Sequence, residues 1–170
     1  MEDSTTPKVE SGTFPNVPTW SVRLVRDRVA PFRTKARQLP RGSPPTGFSC
    51  AADIYEYVKA YFQGLSHEEM WVLVSDVKNQ VRGVAMVSRG ILDASLVHPR
   101  EVFRIALLAG PSATVVLVHN HPSGDPEPSP EDMQLTKKMT ESGTLLGIPV
   151  LDHLIVGARG FISFSERGWL

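Results

Sequence analysis

Apolar residues recur along the chain with two spacings, one helical and one extended. From Ala51 to Phe62 the apolar positions Ile54, Tyr55, Val58, Tyr61 and Phe62 fall on one helical face, and Gly64 stops the helix. Met70–Val74 is a short apolar run that predicts a strand. Lys78, Asn79 and Gln80 predict a turn, and Val81–Val87 predicts a second strand that closes a hairpin. Ile91–Val97 predicts a third. Pro99 opens a helix through Leu108 that turns Val102, Ile105, Ala106 and Ala109 inward. Ala113–Val118 (ATVVLV) predicts a buried strand, Glu131 to Leu146 a long helix, Pro149–Val156 a further strand, and Phe161–Phe164 the last. Helices and strands alternate without strict βαβ periodicity. The fold class this predicts is α+β, with a mixed central sheet flanked by helices rather than a doubly wound one.

The N-terminal part of the chain reads differently. Residues 1–19 are polar and rich in Ser, Thr and Pro, the composition of a disordered tail. Trp20–Val25 alternates weakly, as a short strand would. PRGSPPTG at 40–47 is a linker. The expected organisation is therefore an N-terminal segment, 1–47, followed by one domain, 48–170. A length of 170 residues suits one domain with a real core.

The formal net charge is zero, so bulk electrostatics select no partner. Locally, Arg23, Arg26, Arg28, Arg33, Lys35, Arg37 and Arg41 stand against the single acid Asp27. That run is either a solvated linker or an arm for DNA. One cysteine, Cys50, excludes an internal disulfide framework and a Cys-rich zinc finger. No apolar run approaches the roughly 20 residues that span a bilayer. The start at Glu2, Asp3 and Ser4 is no secretory signal, so the expected compartment is the cytoplasm.

The candidate chemistry lies between His119 and Asp132, in HNHPSGDPEPSPED. His119 and His121 are two apart, so on an extended strand both imidazoles leave from one face. Asn120 points the other way. A turn-rich segment follows, and Ser129-Pro130-Glu131-Asp132 opens the long helix with Ser129 as N-cap. A strand end, a tight loop and a helix start can bring two imidazoles and a carboxylate to one point, the ligand set of a catalytic zinc with an open fourth position. Asp132 also fits a capping box with Ser129; one carboxylate oxygen can cap while the other ligates. Asp125 is the rival carboxylate, in the turn itself.

The HxHP pattern, followed by Ser-x-x-Asp with the aspartate eleven residues after the second histidine, resembles the JAMM (MPN-type) zinc metallopeptidase motif. His98–Phe103 (HPREVF), His119–Pro126 and Leu151–Gly157 (LDHLIVG) resemble its RadC branch more closely, over roughly Ala51 to Leu170. The resemblance implies a JAB/MPN architecture, similar to that of cytidine deaminases, with Zn²⁺ held by His119, His121 and Asp132. It implies hydrolysis of an amide or isopeptide bond in a peptide or protein. Ser129 would steady the oxyanion, and a glutamate from an earlier segment would act as general base. The RadC phrase places that glutamate directly after His67, which favours Glu68 over its neighbour Glu69. His67 itself reads as a surface residue. His153 is either a support for the site or a buried polar residue of the core.

The sequence departs from the family pattern at Ala85, where many RadC-type sequences carry a glutamate. A nucleobase deaminase would need H-x-E and P-C-x-x-C, which a single distant cysteine cannot supply. The letters H-N-H are consecutive here, unlike the dispersed residues of an HNH nuclease. The competing class is a non-catalytic, DNA-associated RadC-like protein linked to DNA repair, touching DNA through Arg23–Arg41. A structural zinc would normally take four protein ligands, and only three stand at suitable spacing.

Overall fold

A computed structural model describes residues 47–90, 97–110 and 113–170. The expected N-terminal tail, the strand at Trp20–Val25, the basic segment and nearly all of the linker lie outside the described residues, as does the third strand at Ile91–Val97 apart from Val97.

Among the described residues three helices and five strands alternate: α1 (Ala51–Phe62), β1 (Glu68–Ser75), β2 (Val81–Gly90), α2 (Pro99–Ala109), β3 (Thr114–Asn120), α3 (Pro130–Leu146), β4 (Val150–Gly157) and β5 (Gly160–Ser163). The strands form one sheet in the order β2-β1-β3-β4-β5. β3 pairs antiparallel with β1 and parallel with β4, and the α3 crossover makes the parallel pairing possible. The sheet is mixed, as the element pattern predicts.

Strand alternation sends side chains to two faces, and each face has its own core. On one face Met70, Val72, Val74, Val115 and Leu117 pack against Val102, Phe103 and Ala106 of α2 and Leu135 and Met139 of α3. On the other, Trp71, Leu73, Val116, Val118 and Leu154 pack against Ile54, Val58, Tyr61 and Phe62 of α1. Gly143 permits the close approach of α2 and α3, since a Cβ there would stand 3.2 Å from the Phe103 ring and 2.5 Å from the Ile148 carbonyl oxygen.

Two strands run further than their apolar cores suggest. β1 begins at Glu68 and β3 continues to Asn120, so the polar residues of interest belong to the sheet itself. Among the described residues no helix is long and apolar enough to cross a membrane.

Candidate metal centre

β3 places His119 on the face shared by Val115 and Leu117, beneath α3, where it is completely buried. His121 lies one residue beyond the strand end, and its backbone N–H still donates to the Val156 carbonyl at 2.9 Å. The chain then turns sharply. Gly124 takes φ +82, and its N–H donates to the His121 carbonyl at 3.0 Å. This fold-back brings the Asp125 carbonyl to 2.8 Å from His121 Nδ1. The loop rests on Gly157, where a Cβ would stand 2.5 Å from the Gly124 oxygen.

α3 supplies the carboxylate. Ser129 is its N-cap, Pro130 its first residue, and Asp132 lies in the first turn. Asp132 Oδ2 accepts from the Ser129 backbone N–H at 2.8 Å and from its hydroxyl at 2.7 Å, and the Ser129 oxygen accepts from Asp132 N–H at 3.1 Å. Oδ1 stands 3.1 Å from His119 Nε2, and Oδ2 stands 3.3 Å from His121 Nε2. The two Nε2 atoms are 3.0 Å apart. Among the described residues the group that could hold a metal ion consists of His119, His121 and Asp132. Asp125 stays out of it; its carboxylate accepts from the Glu127 backbone N–H at 3.1 Å.

The electrostatics are those of a compact charged cluster. Burial works to raise the Asp132 pKa, but the hydrogen bonds from His119 and His121 outweigh it and hold the carboxyl well below the usual range. For His121, burial works downward, while the Asp132 carboxylate, the Asp125 carbonyl and the Glu68 charge raise its pKa on balance. His153 lies on β4 with no exposed surface; its Nε2 is 2.8 Å from His119 Nδ1 and its Nδ1 is 2.6 Å from Thr136 Oγ1. Burial, reinforced by the adjacent His119, keeps its pKa well below the usual imidazole value.

The adjacent glutamates leave β1 on opposite faces. Glu68 shares the face of Met70, and Met70 is paired with His119, so Glu68 faces the histidine side at the same end of the sheet. Glu69 points towards α1 and is 2 % exposed. Its Oε2 accepts from the Tyr61 hydroxyl at 2.8 Å and from Trp71 Nε1–H at 3.1 Å; its Oε1 stands 3.0 Å from His67 Nε2 and 3.1 Å from Arg89 Nε. His67 is therefore half-buried against Glu69 rather than a surface residue. Asn120, on the α1 face as alternation requires, accepts from the Glu69 backbone N–H at 2.9 Å and donates to the His67 carbonyl at 3.0 Å. It ties β3 to the first residues of β1. His98 caps α2, its Nδ1 accepting from Arg100 N–H at 3.3 Å.

Sequence reasoning missed the Glu69 cluster, the Asn120 clamp and Thr136. Thr136 had one available signal: it lies one helical turn after Asp132 and on the same face of α3.

A mixed sheet between helices, with an HxHP pair at the end of its central strand and a helix-start carboxylate beside it, defines a JAB-type domain. The chain belongs to the family described as RadC-like JAB domain, whose sequence profile matches residues 48–169. It is 50% identical over 117 residues to UPF0758 protein STH371 of Symbiobacterium thermophilum, covering 69% of this chain and 50% of that protein. It is 47% identical over 118 residues to UPF0758 protein Mbar_A2303 of Methanosarcina barkeri, covering 69% and 51%. The chain spans about half the length of the curated relatives it matches.

Proposed function

We propose that the domain is a zinc-dependent hydrolase that cleaves an amide or isopeptide bond of a peptide or protein. The observation that carries this reading is the convergence of His119, His121 and Asp132. Ligand atoms about 2.0–2.1 Å from a tetrahedral zinc stand roughly 3.3 Å from one another. His119 Nε2 stands 3.0 Å from His121 Nε2 and 3.1 Å from Asp132 Oδ1, both close to that edge before any ion is considered. The donor chemistry agrees. His121 Nδ1 donates to the Asp125 carbonyl, which can only accept, so Nε2 is the ring nitrogen that would meet a metal. Three protein ligands leave one tetrahedral position for water or substrate, as in catalytic rather than structural sites.

In this reading His119 Nε2, His121 Nε2 and Asp132 Oδ1 hold the zinc, and Asp132 Oδ2 stays with the cap of α3. Bound there, the ion supplies Lewis acidity, which lowers the pKa of a water from about 15.7 to about 7. Glu68 would take a proton from the attacking water as it adds to the carbonyl carbon. Glu68 then gives the proton to the leaving nitrogen as the C–N bond breaks, which yields a carboxylic acid and an amine. The Ser129 hydroxyl turns from Asp132 Oδ2 towards the oxyanion and donates to it. His153 supports His119 from behind. Tyr55, Phe62, Pro122, Val156 and Ala158 line a groove that reaches His121 and offers an apolar bed for the substrate chain.

A second reading, DNA association without catalysis, is favoured by the charge of Arg23–Arg41. Elemental analysis at neutral pH separates the two. About one zinc per chain in the parent, lost in His121→Ala and Asp132→Asn, is expected. Peptide and isopeptide cleavage that disappears in Glu68→Gln while the zinc remains then follows. A parent that binds no zinc when zinc is offered ends the hydrolase reading.

A further inference from the structure

We infer that Asn120 is a positioning residue for Glu68: its side-chain amide fixes the two peptide planes on either side of Glu68 and so sets the direction in which that carboxylate leaves β1. This role rests on the hydrolase reading above, in which Glu68 moves the proton.

Glu68 stands where β1 has outrun one of its two neighbours. On the β2 side the ladder reaches the first residue of the strand, with Glu68 paired to Gly90 and Glu69 to Arg89. On the β3 side the pairing stops at Met70 and His119. Glu68 and Glu69 therefore extend past the last backbone pair with β3. In their place a side chain takes over the edge. Asn120 Oδ1 accepts from the Glu69 backbone N–H at 2.9 Å, and Asn120 Nδ2 donates to the His67 carbonyl at 3.0 Å. Both directions are fixed, because a backbone N–H only donates and a carbonyl only accepts. The same pair of bonds settles which end of the amide is oxygen. Asn120 is 3 % exposed, so water does not compete for either bond.

The two groups it holds are the ones that flank Glu68. The His67 carbonyl belongs to the peptide unit before Glu68, and the Glu69 N–H to the unit after it. A residue has two soft dihedrals, φ and ψ, and each relates one flanking peptide plane to its Cα. One planar amide that grips both planes leaves little freedom in either angle, and the direction of the Cα–Cβ bond follows. Glu69 is anchored from the α1 face by Tyr61 and Trp71, but those bonds go to its carboxylate and not to the backbone at Glu68.

The clamp also comes from the right place. Asn120 lies between His119 and His121, and alternation sends its side chain to the α1 face. One three-residue segment thus carries two candidate ligands and the brace for the base. A base must stand within hydrogen-bond reach of its proton, and a misplacement of about 1 Å can cost about 10²-fold in rate.

The test uses the full chain as the parent, Asn120→Ala and Asn120→Asp. Amide hydrogen exchange and three-bond NMR couplings at Glu68 and Glu69 read the clamp in the metal-free protein. Chelator competition reads zinc affinity, and kcat and KM are measured on a peptide or isopeptide that the parent cleaves. In the parent the Glu69 amide is expected to be protected although it lies beyond the last β3 pair. In Asn120→Ala it should exchange about tenfold faster or more, with averaged couplings at Glu68, while the Val72 and Leu117 amides keep their protection. Zinc affinity should stay within about threefold, since Asn120 offers no ligand atom, and kcat should fall about 10- to 100-fold at nearly constant KM. Asn120→Asp keeps the acceptor and loses the donor, so Glu69 should remain protected while the Glu68 couplings average. A parent Glu69 amide that exchanges like one in a loop overturns the inference, even if neither variant folds. So does a folded Asn120→Ala with parental couplings at Glu68 or a parental kcat. A larger loss of zinc affinity also overturns it, because Asn120 would then brace the ligands and not the base. A parent that binds no zinc ends the hydrolase reading instead, and exchange and couplings still decide whether Asn120 sets the backbone at Glu68.

Discussion

Replacing Glu69 with alanine should destabilise the domain without removing its metal ligands. The carboxylate joins three elements: Tyr61 of α1, Trp71 of β1 and Arg89 of β2 all reach it, with His67 beside them. Alanine removes the carboxylate oxygen that accepts from the Tyr61 hydroxyl and the Trp71 indole N–H in a closed core, at about 1–3 kcal/mol for each hydrogen bond lost there. Arg89 adds little, because its side chain is 53% exposed and can rehydrate. The expected loss is about 3 kcal/mol, less than the sum of two full penalties because the tyrosine hydroxyl can rotate. In urea, where a domain of this size loses about 1.5–2 kcal/mol per molar, the midpoint falls by about 1.5–2 M. Zinc stoichiometry should be unchanged. The pH dependence gives a second check. Burial alone would raise the Glu69 pKa, but its hydrogen bonds and Arg89 outweigh that and lower it. Its stabilising contribution is therefore complete above the ordinary carboxyl value of about 4.3 and is lost only as pH falls through the lowered one. The gap between parent and variant should stay constant from neutral pH to about 5 and close below that. A gap under about 0.5 kcal/mol at neutral pH, or one that closes between pH 7 and 5, refutes the reasoning.

Two further substitutions test the loop and the helix start. Ser129→Ala removes the α3 cap and should lower unfolding free energy by about 1 kcal/mol while one zinc still binds, as read by urea titration and elemental analysis. Gly157→Ala sets a methyl 2.5 Å from the Gly124 oxygen, displaces the turn that orients His121, and should weaken zinc binding by about tenfold in chelator competition.

The apolar spacing carries the elements well, because the strands carry apolar runs rich in Val and Leu and the turns are marked by Gly, Pro and Asn. Their polar ends are harder to see. Glu68, Glu69, His119 and Asn120 belong to strands, yet they lack the apolar character that announces one. The metal triad is legible because three local rules meet there: alternation, the turn, and the helix cap. Nothing local ties Glu68 to it, since the Met70–His119 pairing joins segments far apart in sequence. The same holds for the chain of contacts from His119 to His153 and Thr136, which crosses from β3 to β4 to α3. Its members look like ordinary core and helix residues until the sheet order is known.

The position of β3 in the middle of the sheet has a consequence for how the candidate metal centre would load. The strand that carries His119 has hydrogen-bonded neighbours along both edges and a packed core on both faces. Local fraying therefore cannot displace the His119 imidazole; only opening of the whole sheet can. In hydrogen exchange its amides should be among the slowest, with or without zinc. On the metal reading, an ion would enter a framework already folded, unlike the small zinc domains that exist only when loaded. A chelator would thus strip the centre and leave the architecture standing, so loss and return of the metal can be repeated on one folded population.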